Sequence, residues 1–324
     1  MLSRVANSAY WMSRYIERAE NIARFIDVNQ HLALDDFAAG QWAPLVAITG
    51  DLSDFEDRYK TPSRDNVLRF LTVDAEYQNS ILSCVRSARE NARTIREIIS
   101  VDMWEEINQF YHFVERWAKE PTMLLNPHAF LAHVRRASNT IEGITNGTMS
   151  HGETWNFVQT ARMLERADKT SRILDVKYFI LLPTLSDVGT SIDTIQWAAL
   201  LKSASALHMY RRRHGRISPE TVAEFLLLDR YFPRSVHFCL LQAELSLREV
   251  GGSSRAAFSN PAEQLLGRLR SELDYMRIEE IFQRGMHQFI DDLQSRINHI
   301  GDAISETFFV GAVDEPRQTQ QQWQ

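Results

Sequence analysis

RYIERAENIARFIDV, residues 14–28, and RMLERADKTSRILDV, residues 162–176, are two versions of one helix set 148 positions apart without a gap. Seven of the fifteen positions are identical: Arg14/Arg162, Glu17/Glu165, Arg18/Arg166, Ala19/Ala167, Arg24/Arg172, Asp27/Asp175 and Val28/Val176. Glu20/Asp168 keeps the charge, while Ile16/Leu164 and Ile26/Leu174 keep the apolar character. Unrelated helices do not share so much, so the expected architecture is all-α, a large multi-helix bundle formed by a diverged two-fold duplication. The offset is far longer than the roughly 20–50 residues of a solenoid repeat. The expected units are 1–150 and 151–310, each carrying one Glu-Arg copy, followed by a polar, Gln-rich and disordered tail at 311–324.

The rest of the chain reads as helix on either side of these segments. The 324 residues hold only 13 Gly and 9 Pro, which favours long helices with few tight turns. Val5, Met12, Tyr15, Ile16, Ala19, Ile22, Ala23 and Ile26 recur at steps of three and four, predicting an amphipathic helix from about 3 to 34. A loop-rich stretch is expected over 35–65, then helices near 66–73, 75–99, 102–118 and 127–147. In the second half the expected helices are 152–182, 190–210, 219–229, 234–249, 261–275 and 278–309. Asn126-Pro127, Ser218-Pro219 and Asn260-Pro261 each pair a capping side chain with a proline suited to a first helical turn. No stretch alternates as a strand does.

The repeated charges admit two readings. On a helix, Arg14, Glu17 and Arg24 share a stripe, and Glu20 precedes Arg24 by four residues, as Asp168 precedes Arg172. That is the favourable order for an ion pair, so a solvated, salt-bridged face is one reading. Yet five charged positions keep their residue type in both copies while the apolar neighbours drift, and an exposed face tolerates Lys for Arg. The sharper reading brings both helices together around a shared polar pocket, as inward-facing side chains do in bundles. Glu17 and Glu165 are then the candidate catalytic carboxylates. Arg14, Arg18, Arg24, Arg162, Arg166 and Arg172 become candidate clamps for a carboxylate or peptide substrate.

Arg86, Arg89, Arg93 and Arg96 form a further stripe, which needs either an acidic helix or an anionic ligand facing it; Arg89 and Arg93 join the candidate substrate-binding residues. YRRRHGR, 210–216, reads as a basic loop and a weak anion patch. Cys84 and Cys239 lie in apolar runs and are expected to be buried free thiols. The ten histidines show no metal-binding spacing, so no metal is expected. There is no glycine-loop nucleotide motif and no G-x-S-x-G, so no cofactor is expected. A net charge of -6 and a pI near 6.0 speak against nucleic acid. No run is apolar for long enough to be a signal peptide or membrane span, so a cytoplasmic, membrane-free protein is expected.

MLSRVANSAYWMSRYIERAENIARFIDV (1–28), RSARENARTIREIIS with MWEEIN (86–108) and FPRSVHFCL (232–240) together resemble the alpha-E family, bacterial all-helical proteins named for a Glu-Arg motif. The resemblance covers about residues 1–310. It implies a helical component of an ATP-grasp-linked peptide ligation or amide-bond-forming modification system. The partners it implies are an ATP-grasp-type protein and a transglutaminase-like protein. The family's Glu-Arg pair maps onto Glu17-Arg18, with Glu165-Arg166 as the second copy. This chain carries no ATP-grasp segment, so the ligase is expected on another chain. The alternative is a non-catalytic scaffold that docks such a partner.

Overall fold

A computed structural model describes residues 2–33, 42–120, 124–180, 191–253 and 257–310. Among the described residues there are fifteen α-helices and no strand. Two long helices organise the rest, α1 (Ser3–Ala33) and α8 (Glu153–Ile180). Neither contains Gly or Pro, so nothing interrupts their hydrogen-bond ladders over about 40–45 Å of rise.

Helices α5 (Ile81–Thr94) and α7 (His128–Thr148) pack on α1, and α6 (Val101–Ala118) lies against both of them. In the second half α12 (Val236–Gly251) and α15 (Met286–Ile304) pack on α8, with α13 (Pro261–Tyr275) against both. The two groups also exchange elements. Helix α2 (Ala43–Thr49), which follows α1, packs on α8; α9 (Ser191–Ser203), which follows α8, packs on α1. The buried apolar residues accordingly form one continuous core drawing on both groups.

α1 and α8 contact one another and are wrapped by other helices, so their middles are covered on every side. All residues from 19 to 27 and from 156 to 171 are buried. The one-sided apolar stripe expected of the first helix is therefore only part of its covered surface. Ala19, Ala23, Ala161 and Ala167 are fully buried, and such small side chains let neighbouring helices approach closely.

Several boundaries differ from the sequence reading. The 35–65 stretch contains α2 and α3 (Leu52–Tyr59), and α4 spans Arg64–Thr72. Residues 75–80 are a turn, not helix. There Asp74 Oδ1 accepts the backbone N–H groups of Glu76 and Tyr77, Ser80 Oγ donates to Asp74 O, and Ser80 caps α5 through Ser83 N. Asn126 does not cap α7, which starts beyond Pro127 with no side-chain cap. Ser218 and Asn260 do cap α11 (Pro219–Leu228) and α13. The 190–210 segment divides into α9 and α10 (Leu207–Arg213), separated at Ser205 with φ 54°. The 278–309 segment divides into α14 (Ile278–Arg284) and α15, followed by a π-helical turn Ser305–Phe309. Gly285 makes the first of those breaks, at φ 97°, where a Cβ would be strained. The expected tail, 311–324, lies outside the described residues, as do residues 34 and 181–182 at the ends of the two long helices.

The close packing of α8 yields a direct test. Ala167→Leu forces extra methyl and methylene groups into a filled site, so it should cost about 1–3 kcal/mol, read as a lower urea midpoint. The same change at exposed Ala47 should cost under about 0.5 kcal/mol.

Candidate functional site

The repeated glutamates and arginines meet where α1 crosses α8, and they pair across the helices. Glu17 accepts from Arg166 through Nε (2.9 Å) and Nη2 (2.8 Å). Glu165 accepts from Arg18 through Nε (2.7 Å) and Nη2 (3.0 Å). Each Glu-Arg dipeptide thus gives its carboxylate to the other's guanidinium, in the bidentate fork that Arg geometry favours. Arg14 adds a third donor group to Glu165 (2.7 Å) and also donates to Tyr10 Oη (2.9 Å). Arg18 reaches on to Asn79 Oδ1 (2.6 Å).

Burial here is close to complete: Glu165 is 0% and Glu17 2% exposed. Burial alone would raise both carboxyl pKa values. Arg166 and Arg234 outweigh it at Glu17, and Arg18, Arg14 and Lys169 outweigh it at Glu165, so both are held well below the usual carboxylate range. Burial pushes the thiols of Cys84 and Cys239, which lie beside the cluster, up to about 12. They are buried and unbridged, and at neutral pH they are thiols, not nucleophilic thiolates.

The cluster extends along both helices. Arg24 pairs with Glu20 (2.5 Å) and Arg172 with Asp168 (3.0 Å) inside their own helices, in the i,i+4 order of the sequence. Arg24 also donates to Ser205 Oγ. Arg162 lies 2.8 Å from Glu142, within ion-pair range though not aligned for a hydrogen bond. Arg89 and Arg93 stand apart. Arg89 donates to Asn108 (2.7 Å) and lies over the Tyr111 ring at 4.8 Å, while Arg93 pairs with Glu90 (2.7 Å). Arg96 lies over Trp104 at 5.3 Å. Arg89 and Arg96 therefore meet an aromatic face of α6 rather than an acidic helix.

Some members of the cluster were not among the expected residues. Arg234, just before α12, donates to Glu17 (3.2 Å), Asn21 (3.4 Å) and Glu20 (2.5 Å). Ser138 donates to Glu20 (2.7 Å), Asn21 to Glu17 (2.9 Å), and Glu142 also accepts from Arg166 (3.1 Å). Lys169 approaches Glu165 (3.5 Å) and Asp168 (2.9 Å). A signal for Arg234 exists in the sequence. Asp74, Tyr77, Ser80 and Cys84 recur as Asp229, Phe232, Ser235 and Cys239, 155 positions on, with the same turn hydrogen bonds. That register sets Arg234 opposite Asn79, the partner of Arg18.

The four central groups lie in direct hydrogen-bond contact in two pairs. A cavity of about 10 Å³, bordered by Glu17, Ser13, Ser138, Glu142 and Arg162, lies beside them; that is about the space of one water molecule. Among the described residues, no His, Cys, Asp and Glu group could hold a metal ion, and no helix is long and apolar enough to cross a membrane.

The sequence model of the Alpha-E family, described as a predicted alpha-helical domain with a conserved ER motif, matches residues 1–309. Uncharacterized proteins of Mycobacterium bovis and of two Mycobacterium tuberculosis strains are 26% identical over 333 residues. The match covers 94% of this chain and 36% of each relative, so the chain spans little more than a third of their length. No solved structure matches the chain.

Because Glu17 and Glu165 have depressed pKa values in the folded chain, their stabilisation is present above the unfolded carboxyl pKa, about 4.3, and is lost as pH falls below it. Urea unfolding should therefore weaken steeply from about pH 5 down to pH 3, each such group adding at most about 1.4 kcal/mol per pH unit. Glu17→Gln should flatten that slope by one group's share; an unchanged slope would mean that Glu17 does not carry it.

Proposed function

The chain belongs to the Alpha-E family, and from that membership we propose that it is a non-catalytic helical module of an ATP-grasp-linked peptide ligation or amide-bond-forming system. Its work is to dock an ATP-grasp-type or transglutaminase-like partner, and its Glu-Arg cluster holds the scaffold in shape. One observation carries this reading: both repeated carboxylates are buried and fully engaged by guanidinium groups from the other helix. A general base or nucleophile needs a free lone pair within reach of a substrate, and the adjoining cavity has space for one water. A buried ion pair that loses one member is strongly destabilising, which suits a structural task.

A second reading, that the cluster binds a substrate carboxylate, is favoured by its charge. Among the described residues, Arg14, Arg18, Arg24, Arg162, Arg166, Lys169, Arg172 and Arg234 face Glu17, Glu20, Glu142, Glu165 and Asp168 in direct ion contact, eight cations against five anions. The shortage shows at Arg24, whose basicity is lowered by burial and by the neighbouring Arg234. On this reading a dicarboxylate such as free glutamate raises the melting temperature of the wild type but not of Arg172→Gln. The scaffold reading expects no shift in either.

The scaffold reading is tested by separating folding from activity. Glu17→Gln and Glu165→Gln should each cost on the order of 3 kcal/mol, because each leaves an arginine short of a counter-charge. Together they should be non-additive by about 0.5–3 kcal/mol, since they share a network. At a temperature where the variants remain folded, ligation by the reconstituted system should stay within about twofold of wild type. A folded Glu17→Gln or Glu165→Gln chain that has lost ligation would overturn the scaffold reading and make that carboxylate a catalyst.

A further inference from the structure

The basic stretch 210–216 takes no part in the central cluster, and the structure gives it an ordered setting. Arg211, Arg212 and Arg213 form the last turn of α10. Buried Tyr210 fixes that turn: its Oη donates to Arg216 O (2.7 Å) and its ring stacks on His214 at 4.8 Å. Arg211, Arg212 and Arg216 are exposed and make no ion pair among the described residues. Cations in a last turn gain a few tenths of a kcal/mol to about 1 kcal/mol from the helix dipole. That accounts for basic residues here, but not for what lies beside them.

Beside this turn is a cleft of about 180 Å³, with Phe225 and Leu228 as its apolar lining and Arg213, His214, Arg230 and Tyr231 around it. Asp229 also lines it but is already engaged: Oδ1 accepts the backbone N–H groups of Tyr231 (2.8 Å) and Phe232 (2.7 Å), and Oδ2 accepts from Arg213. The turn so formed holds the Tyr231 backbone while leaving the residue 81% exposed. Next to it, Arg230 is fixed to Asp274 O (2.7 Å), and the following residue, Tyr275, is 87% exposed. Two solvent-exposed tyrosines, one following the anchored Arg230 and one following its acceptor Asp274, match the composition of interface hot spots. The cleft is smaller than the roughly 300–1,000 Å³ of small-molecule pockets, so it suits one anchoring side chain.

We propose that this cleft, with the arginines at the end of α10 and the exposed Tyr231 and Tyr275, docks an acidic segment of a partner protein that inserts one apolar side chain. Charge complementarity selects the occupant: the chain as a whole carries -6, whereas Arg211, Arg212 and Arg216, exposed and without an ion pair among the described residues, stand one or two positions in sequence from Arg213 and His214 of the lining; the lining's own arginines, Arg213 and Arg230, are paired with Asp229 and Asp274. The inference rests on the scaffold reading for its biological sense, and names the surface through which that scaffold acts.

The test is fluorescence anisotropy with a labelled peptide, Glu-Glu-Asp-Phe-Glu-Glu, on the full chain at low ionic strength. Controls are the same peptide with Ser for Phe and a single-stranded oligonucleotide of equal charge. Binding should be saturable, weakened by salt, and weakened about tenfold, or about 1.4 kcal/mol, by the triple variant Arg211→Glu, Arg212→Glu, Arg216→Glu. Tyr231→Ser should weaken it severalfold, as should Ser for Phe in the peptide. All four substituted positions are exposed, and an unchanged circular dichroism spectrum verifies folding. No binding of the peptide, equal binding by the triple variant, or tighter binding of the oligonucleotide would overturn the proposal. If the triple variant still associates with an ATP-grasp-type partner as the wild type does, this surface is refuted and the scaffold reading stands. If the wild type itself does not associate, it is the scaffold reading that falls.

Discussion

A charge taken out of water must find an opposite charge, and at the centre of this protein two carboxylates and two guanidinium groups find their bidentate partners across a helix crossing. Each uncompensated ion in such a place costs several kcal/mol. The pairing of Glu17 with Arg166 and of Glu165 with Arg18 therefore fixes the position of α1 against α8 in rotation and in translation. An apolar seam tolerates small slips, because dispersion contacts are many and individually weak. Bidentate forks do not, since a shift of an ångström breaks both hydrogen bonds at once. The helices that wrap α1 and α8 pack against this centre.

The two ends of the pairing are not equivalent. Arg18 continues to Asn79, a neutral amide, whereas Glu17 receives a second cation from Arg234 at the matching position before α12. Asn79 is in turn tied to Asp51, which also accepts from Tyr77. One side of the cluster thus relays through an amide to the Asp51 carboxylate, and the other gathers positive charge around Glu17 and Glu20. This difference supplies one of the cations in excess among the described residues.

How much of this was legible in the sequence depends on how each residue is held. The same Glu and Arg types at matching positions of segments 14–28 and 162–176 mark Glu17, Arg18, Glu165 and Arg166 as more than a wet surface, because burial removes the freedom to exchange Lys for Arg. The helix-internal pairs Glu20–Arg24 and Asp168–Arg172 could be read from spacing alone. Arg234 and Glu142 could not, since their partners lie far away in sequence; Arg234 shows only through the Asp229–Ser235 turn, which repeats Asp74–Ser80 with Asn79 in its place. Charge groups Arg89 and Arg93 with the site, although α6 meets Arg89 with Trp104 and Tyr111 and Arg93 pairs with Glu90 on its own helix, and a charge count does not register aromatic faces. Boundaries went astray where a side chain competes with the helix: Asp74 and Ser80 divert the backbone before α5, and Gly285 opens a break that apolar periodicity passes over.

The exchange of α2 and α9 has a kinetic meaning. Each of these short helices follows one long helix and completes the packing of the other, so neither group closes its own core from local contacts alone. The decisive pairings link residues 147 and 149 apart, and closing such loops costs entropy before any contact repays it. The chain must therefore search for its central crossing late and as a whole, with a nascent first half emerging during synthesis that still exposes the seam intended for the second. Once the crossing forms, rupture requires both forks and both exchanged helices to leave together. Contacts that form only after the folding transition state raise the barrier to unfolding, so a crossing made late favours persistence through slow rupture.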